Sequence, residues 1–478
     1  MKRAGRYLTI GACLAAVLGT ARGETLARGS DGLIIVAPER FCGALADYVR
    51  HKQHQLPTGL LCLEEILRDT PGTDDPERLK RRIYDGWKRH GWRYVLLVGD
   101  ADVLPVRYMV LDRVTPTAYD YAFYPSDLYY ADLAKRDGSF EDWNGRKDGF
   151  HAGYFGEVRG EKNKTDPINF DAIDYLPEVA VGRWPVSTPD QVGVIVAKTI
   201  RYEQGLQDAG KPGTRRAAFV AVAGWVDSRP LFDRLAMILP PGWSAEKRYF
   251  PEKRKGPATP PPTAEEVIRL MNEGLSLLVH AGHGKDDRWE KSFGLAHLSR
   301  IQNAGCLPIV ISAGCSTARF AALPPYEPYL DVNEKDHRGT NHKEVFTKPP
   351  PPPAPYQTGK YNRTGLGEGL VREGPSGAVA YIGCNTGSQP CGLTLVEGFV
   401  TGLRGRSEPR LGDVWNRAIR HYYKKEKLAT LRPTRSWYPP SIFFQGMKFI
   451  IFGDPSLLLP SPFRKTSRSS SRPRETDR

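Results

Sequence analysis

The sequence predicts an α/β fold: a three-layer α/β/α arrangement with mostly parallel sheets in two packed subdomains. Three observations carry this. Short apolar runs ending in glycine or another small residue recur along the chain, the pattern of strands buried on both faces. These runs alternate with stretches of helical periodicity, and βαβα order makes a parallel sheet covered by helices. The chain has 478 residues, 40% hydrophobic and 26% charged, enough for one large domain or two to three smaller ones.

In order, 32–36 reads as the first strand, 44–52 as a helix on Leu45, Tyr48 and Val49, and 59–63 as a second strand. Asp75-Pro76 opens a helix to about Arg89, with proline in its first turn. Residues 94–98 form a third strand, closed by Gly99-Asp100. Residues 115–176 are rich in Tyr, Asp and Gly and lack clear periodicity. A strand follows at 178–182 and a helix at 188–203. Residues 205–212 read as the joint between an amino-terminal half (24–210) and a second half (211–460). The second half begins with a strand at 217–222 and a helix at 231–239. The loop 251–262 leads to a capping box, Thr263 to Glu266, which opens the next helix. Strands are expected at 275–279, 308–311, 377–383 and 447–452, and helices at 393–403 and 411–423.

Residues 1–23 have the form of a secretory signal: a basic start at Lys2, Arg3 and Arg6, an apolar stretch over 8–17, and small residues at Ala21 and Gly23. The apolar part is too short to span a bilayer. It is also too short to make Ile10-Gly11-Ala12-Cys13 a lipid-anchoring site. The net charge of +14 sits partly at the ends, where residues 1–23 and the Ser/Arg tail 461–478 contribute +4 each. The remaining +6 gives no reason to expect a nucleic-acid partner. The tail reads as a solvated, disordered end. Six cysteines follow the signal: Cys42, Cys62, Cys306, Cys315, Cys384 and Cys391. That is too few for a disulfide scaffold in a chain of this size. Cys384–Cys391 is a plausible pair by proximity, and Cys42–Cys62 requires helix and strand ends to meet. Asn163 and Asn362 head glycosylation sequons that matter only in a eukaryotic secretory host.

The chemistry concentrates between Leu275 and Phe320. The first apolar run there leads to His283 in AGHG and the second to Cys315 in SAGCS. Residues beyond the carboxyl ends of parallel strands face the crevice where ligands bind. A thiol attacks carbonyl carbon as thiolate, and an imidazole beside it promotes that state. Glycines 282, 284 and 314 leave room for substrate, and the N–H groups of Gly284 and Cys315 are candidate oxyanion donors. A zinc site built from His280, His283, Cys306 and Cys315 is the rival. His280 falls inside a strand pattern and Cys306 precedes one, which argues against convergence.

The arrangement resembles the gingipain-type cysteine peptidases of caspase-like fold. The shared features are Val279, His283-Gly284, Trp289, Ile309-Val310-Ile311 and Cys315, with YVLLVGDADVLPVR at 94–107, PSDLYYADL at 125–133, PEVAVGRWPVSTPD at 177–190 and FGDPSLLL at 452–459. The resemblance runs from about Leu33 to Leu459. It implies an exported cysteine endopeptidase acting on protein or peptide substrates. His283 would be the base, Cys315 the nucleophile, and Glu178 or Asp174 the carboxylate orienting His283. The other reading is a caspase-like binding or adhesion module without catalysis. No organic or redox cofactor is implied. A structural calcium is a further expectation, with Asp142, Asn144 and Asp148 as ligands in a loop of alternating acidic and amide residues. Residues 323–360 hold the run KPPPPPAPY just beyond Cys315. Such chain is extended and non-packing, and its position suggests a gate at the cleft rim.

Overall fold

The computed structural model describes residues 31–110, 122–148, 152–157, 167–207, 215–251, 259–360, 364–404, 408–436 and 438–460. The signal-like segment 1–23, most of the joint at 205–212, the tail 461–478, Asn163 and Asn362 lie outside them.

Ten strands form one continuous sheet: β1 Gly32–Ala37, β2 Thr58–Cys62, β3 Trp92–Val98, β4 Ala180–Trp184, β5 Arg216–Ala221, β6 Ser244–Tyr249, β7 Leu277–Ala281, β8 Ile309–Ser312, β9 Ala380–Cys384 and β10 Phe449–Phe452. Their spatial order is β2-β1-β3-β4-β10-β9-β8-β7-β5-β6. Every neighbouring pair is parallel except β9 with β10, where Tyr381 faces Phe452 and Cys384 faces Phe449. The sheet is therefore two parallel half-sheets pointing in opposite directions and joined edge to edge. The joining strand, β10, comes from the end of the described chain and pairs in parallel with β4.

Alternation along the strands feeds two cores. Ile34, Val36, Leu277, Val279, Ile309 and Ile311 face one layer, which holds the helices Asp75–His90, Arg229–Met237, Gly392–Gly402 and Leu411–Lys425. Leu33, Ile35, Leu278 and Val310 face the other, under Glu39–Gln53, Pro189–Gln207, Ala264–Asn272 and Leu366–Arg372. This is the caspase-like three-layer α/β/α fold that the sequence predicts.

Local differences have local causes. The first helix starts at Glu39, earlier than its apolar spacing suggests, because the Glu64 carboxylate accepts the otherwise orphaned Glu39 N–H at 2.9 Å. Strand β6 was not expected. Its sequence SAEKRY carries three charges, and β6 is an edge strand, where charge protects against unwanted pairing. The Thr263 side chain does cap its helix, accepting from the Glu266 N–H.

The proline-rich segment is bonded to the first half of the chain. Its backbone bonds go to the first half: Ala122 and Phe123 N–H donate to the Pro324 carbonyl, Val106 N–H to Pro355, and Gln357 N–H to Ala101. The Tyr154 hydroxyl donates to the Pro350 carbonyl. Within the segment, Tyr329–Leu330 pairs with Asp336–His337, and His337 lies between Asp331 (3.0 Å) and Glu344 (2.8 Å). Extended prolines leave their carbonyls unpaired, so the run can serve as an acceptor strip along another surface.

Candidate active site

His283 and Cys315 stand just past the ends of the adjacent parallel strands β7 and β8. The β7 turn is fixed by Gly282, whose φ of 120° suits glycine and whose Cβ position lies 2.4 Å from the Val222 carbonyl oxygen. His283 N–H donates to Ala223 O at 2.8 Å, and His283 O accepts from Glu290 N–H at 3.0 Å. The two turns then touch each other. A Cβ on Gly284 would lie 3.1 Å from Cys315 N, and one on Gly314 would lie 3.3 Å from Gly284 Cα. The glycines of both motifs thus exist to let the two backbones meet.

Both side chains line one small cleft, open to solvent. Gly224, Trp225, Val226, Ser228, Ala281, Ala313 and the turn 388–390 supply its other walls. Cys315 Sγ lies 3.3 Å from the Ser388 N–H, a donor aimed at the sulfur. The indole of Trp225 meets the His283 ring edge-on, with centroids 6.5 Å apart.

Beneath the turns lies a buried polar chain. His280 is fully buried, stacks on Trp289 at 4.3 Å and 4°, and shares a 2.8 Å hydrogen bond with Ser312 Oγ. Burial holds its basicity well below the ordinary histidine range, so it is neutral. Ser312 Oγ also accepts from Gly314 N–H (3.2 Å) and Thr317 Oγ1 (3.1 Å). The Tyr381 hydroxyl joins the same group. His280 is therefore a brace for the cysteine turn and not a ligand. Cys306, at the other end of the β8 segment, has its thiol 3.5 Å from the Leu275 carbonyl.

Lys448 braces the opposite wall. It is buried between the rings of Tyr124 and Phe444, 4.5 and 4.3 Å from their centroids, and donates to Gly387 O at 2.9 Å. That bond fixes the turn carrying Ser388. Burial pushes its pKa down to about 8.

Glu178 does not join this site. Its carboxylate accepts the N–H groups of Leu133 (2.7 Å) and Ala134 (3.2 Å), and it lines a separate recess with Asp31, Arg93 and Arg420. It stands just before β4, and β10, β9 and β8 lie between β4 and β7. Four strand spacings amount to about 19 Å, beyond the reach of a carboxylate. Asp174 lies 3.7 Å from Arg136 and is also absent from the cleft lining. Among the described residues no carboxylate lines the cleft beside His283 or is hydrogen-bonded to it.

Two of the three expected calcium ligands have partners within the chain. The Asp142 carboxylate is ion-paired with Lys147 and accepts the Asn144 N–H, the Asn144 amide donates to Ala152 O, and Asp148 is exposed. Among the described residues no group of three or more His, Cys, Asp or Glu is arranged to hold a metal. The six described cysteines are all unbonded. Cys384 and Cys391 do not pair: the Cys384 sulfur accepts from Gln445, while Cys391 faces Tyr422 and Tyr438. Cys42 and Cys62 do meet, thiol to thiol.

Sequence reasoning missed the wall residues Trp225, Ser228 and Ser388, and Lys448. Lys448 had a signal, a lone cation heading the apolar run FIIF. GSQP, after the β9 run, reads as a turn at another strand's carboxyl end. Nothing in VDSRP distinguishes Ser228 from a helix cap.

The profile of peptidase family C25 matches residues 27–460. Gingipain R2 and Gingipain R1 of Porphyromonas gingivalis are each 21% identical over 322 residues, 64% of this chain. The chain spans about a third of the first relative and a quarter of the second, the matched shares being 35% and 26%. Two solved structures share the fold. One is the Arg specific cysteine proteinase gingipain R (TM-score 0.57, 18% identity, 90% of this chain and 78% of that one). The other is the complex of the Porphyromonas gingivalis RgpB pro- and mature domains (0.57, 18%, 89% and 79%). The profile covers nearly all of the chain, including both strand-end motifs, and the chain belongs to peptidase family C25.

Proposed function

We propose that this protein is an exported cysteine endopeptidase whose nucleophile is Cys315 and whose base is His283. The observation that carries this is the contact between the His283-Gly284 and Gly314-Cys315 turns, which puts both side chains on one open cleft. In the proposed reaction His283 takes the Cys315 proton, and the sulfur attacks the scissile carbonyl carbon. The N–H groups of Gly284 and Cys315 receive the developing oxyanion. His283 then protonates the leaving amine as the C–N bond breaks. Water, deprotonated by His283, releases the acyl group and restores the thiol.

With no carboxylate on His283 among the described residues, orientation falls to its backbone bonds and to Trp225. Export rests on the form of residues 1–23. Among the described residues no helix is long and apolar enough to cross a membrane. The test is peptide hydrolysis by the purified protein against Cys315→Ala and His283→Ala. Loss of turnover in both, with unchanged melting temperature, supports the reading. Substantial turnover by Cys315→Ala sinks it.

A further inference from the structure

We infer that the cleft beside Cys315 accepts a short, uncharged, hydrogen-bonding side chain (Ser, Thr or Asn) on the residue that contributes the scissile carbonyl, and rejects Arg and Lys there. This rests on the peptidase reading above. For attack, that carbonyl carbon must approach Sγ to about 3–3.5 Å. The side chain one atom away then enters the recess that Sγ itself lines.

Three features of that recess set its chemistry. Its walls are largely apolar, formed by Trp225, Val226, Ala281, Ala313, Pro390 and Leu393. None of the described lining residues is Asp or Glu. The carboxylate nearest in the chain, Asp227, is clamped by Arg229, with Nε at 2.8 Å and Nη2 at 2.9 Å on its two oxygens. Arg229 is itself tied to the Phe250 carbonyl at 3.0 Å. A guanidinium or ammonium entering this space would meet apolar walls and gain no counter-charge, which disfavours it.

The third feature is positive. Ser228 lines the recess, is 2% exposed, and its Oγ has no hydrogen-bond partner. Buried hydroxyls are nearly always paired. A substrate hydroxyl or amide supplies the missing partner, and a site so built discriminates against side chains that cannot.

The experiment uses the full purified chain and fluorogenic peptides that differ only at this residue: Asn, Thr, Ala, Leu, Arg and Lys. We expect kcat/KM for the better of Asn and Thr to exceed that for Arg by about 100-fold or more, in line with the discrimination a hydrogen-bonding site achieves. Ser228→Ala should lower the Asn-to-Ala ratio of kcat/KM about tenfold. Ser228→Asp should raise the Arg-to-Asn ratio. Should Ser228→Asp not fold, the wild-type panel and Ser228→Ala still decide. Efficient wild-type cleavage after Arg or Lys overturns the inference and leaves the peptidase reading standing. An unchanged Asn-to-Ala ratio in Ser228→Ala overturns the role of Ser228. Failure to cleave any peptide, with no labelling of Cys315 by a thiol-reactive peptide, overturns the peptidase reading and the inference with it.

Discussion

The two half-sheets are built alike, and only one is open for chemistry. Each is a parallel βαβ array with a crevice at the carboxyl ends of its strands. In the first half that crevice lies past Val98 of β3 and Trp184 of β4, and it is filled. Arg183 makes a two-pronged pair with Asp127 at 2.7 and 2.8 Å and also binds Gly99 O. Arg372 reaches Asp100 (3.1 Å) and Pro185 O (2.6 Å), and the proline-rich segment closes over Ala101 and Val106. In the second half the equivalent ends carry Gly282-His283-Gly284 and Gly314-Cys315, with a cleft in front of them. The fold supplies two equivalent positions, and the residues past the strand ends decide which becomes a brace and which a site.

The comparison breaks most sharply at Cys315, the proposed nucleophile. Cys315→Ala should reduce kcat/KM by at least ~10⁴-fold, while Cys306→Ala, with its thiol at the amino end of the same strand, should leave it within about twofold. Steady-state kinetics on both variants checks this. The filled crevice should answer in stability. Arg183→Met strands the buried Asp127 carboxylate and should cost about 3–5 kcal/mol, measured by denaturant unfolding, with residual activity at low temperature. An Arg183→Met protein of normal stability would show that the first-half crevice is not held by charge. Replacing 324–356 with a short Gly/Ser linker should lower the melting temperature without raising kcat/KM on small peptide or folded protein substrates. A rate gain would support a gate.

Lys448 sharpens the comparison from inside the second half. Lys448→Met should lower kcat/KM by about tenfold, because Gly387 loses its anchor and Ser388 its aim. A pH signature accompanies it. The folded pKa is pushed down to about 8 by burial, and the unfolded group titrates near 10.4. Between these values the unfolded chain binds more protons, so this residue makes stability rise with pH across that window. Melting curves from pH 8 to 10 should show that rise in wild type relative to Lys448→Met. Glu178→Gln should have the smallest effect, within about twofold on kcat/KM, since its carboxylate serves two backbone amides. A large loss of activity there would mean that Glu178 reaches the site after all.

The legible parts of the sequence were those set by local pattern. Apolar runs ending in glycine identified the strands carrying His283 and Cys315, because buried parallel strands leave that signature without reference to the rest of the chain. Strand order leaves none. The resemblance offered Glu178 as the partner of His283, but β10, from the far end of the sequence, inserts next to β4 and sets the two residues apart. The charged edge strand at Ser244–Tyr249 was hidden for a related reason: its composition answers to solvent and not to the core. The proline-rich run was expected not to pack, yet Pro350 and Pro353 are buried; which surface its carbonyls meet depends on contacts with Ala101 and Tyr154, more than 150 residues earlier.

The most direct measurement is site-mapped labelling. The purified protein is treated with an acyloxymethyl ketone peptide carrying Asn next to the reactive carbon, then digested and analysed by mass spectrometry. The pairing of His283 with Cys315 predicts one adduct, on Cys315 among the six cysteines from Cys42 to Cys391, lost in His283→Ala. Labelling spread over several thiols, or undiminished in His283→Ala, would contradict it.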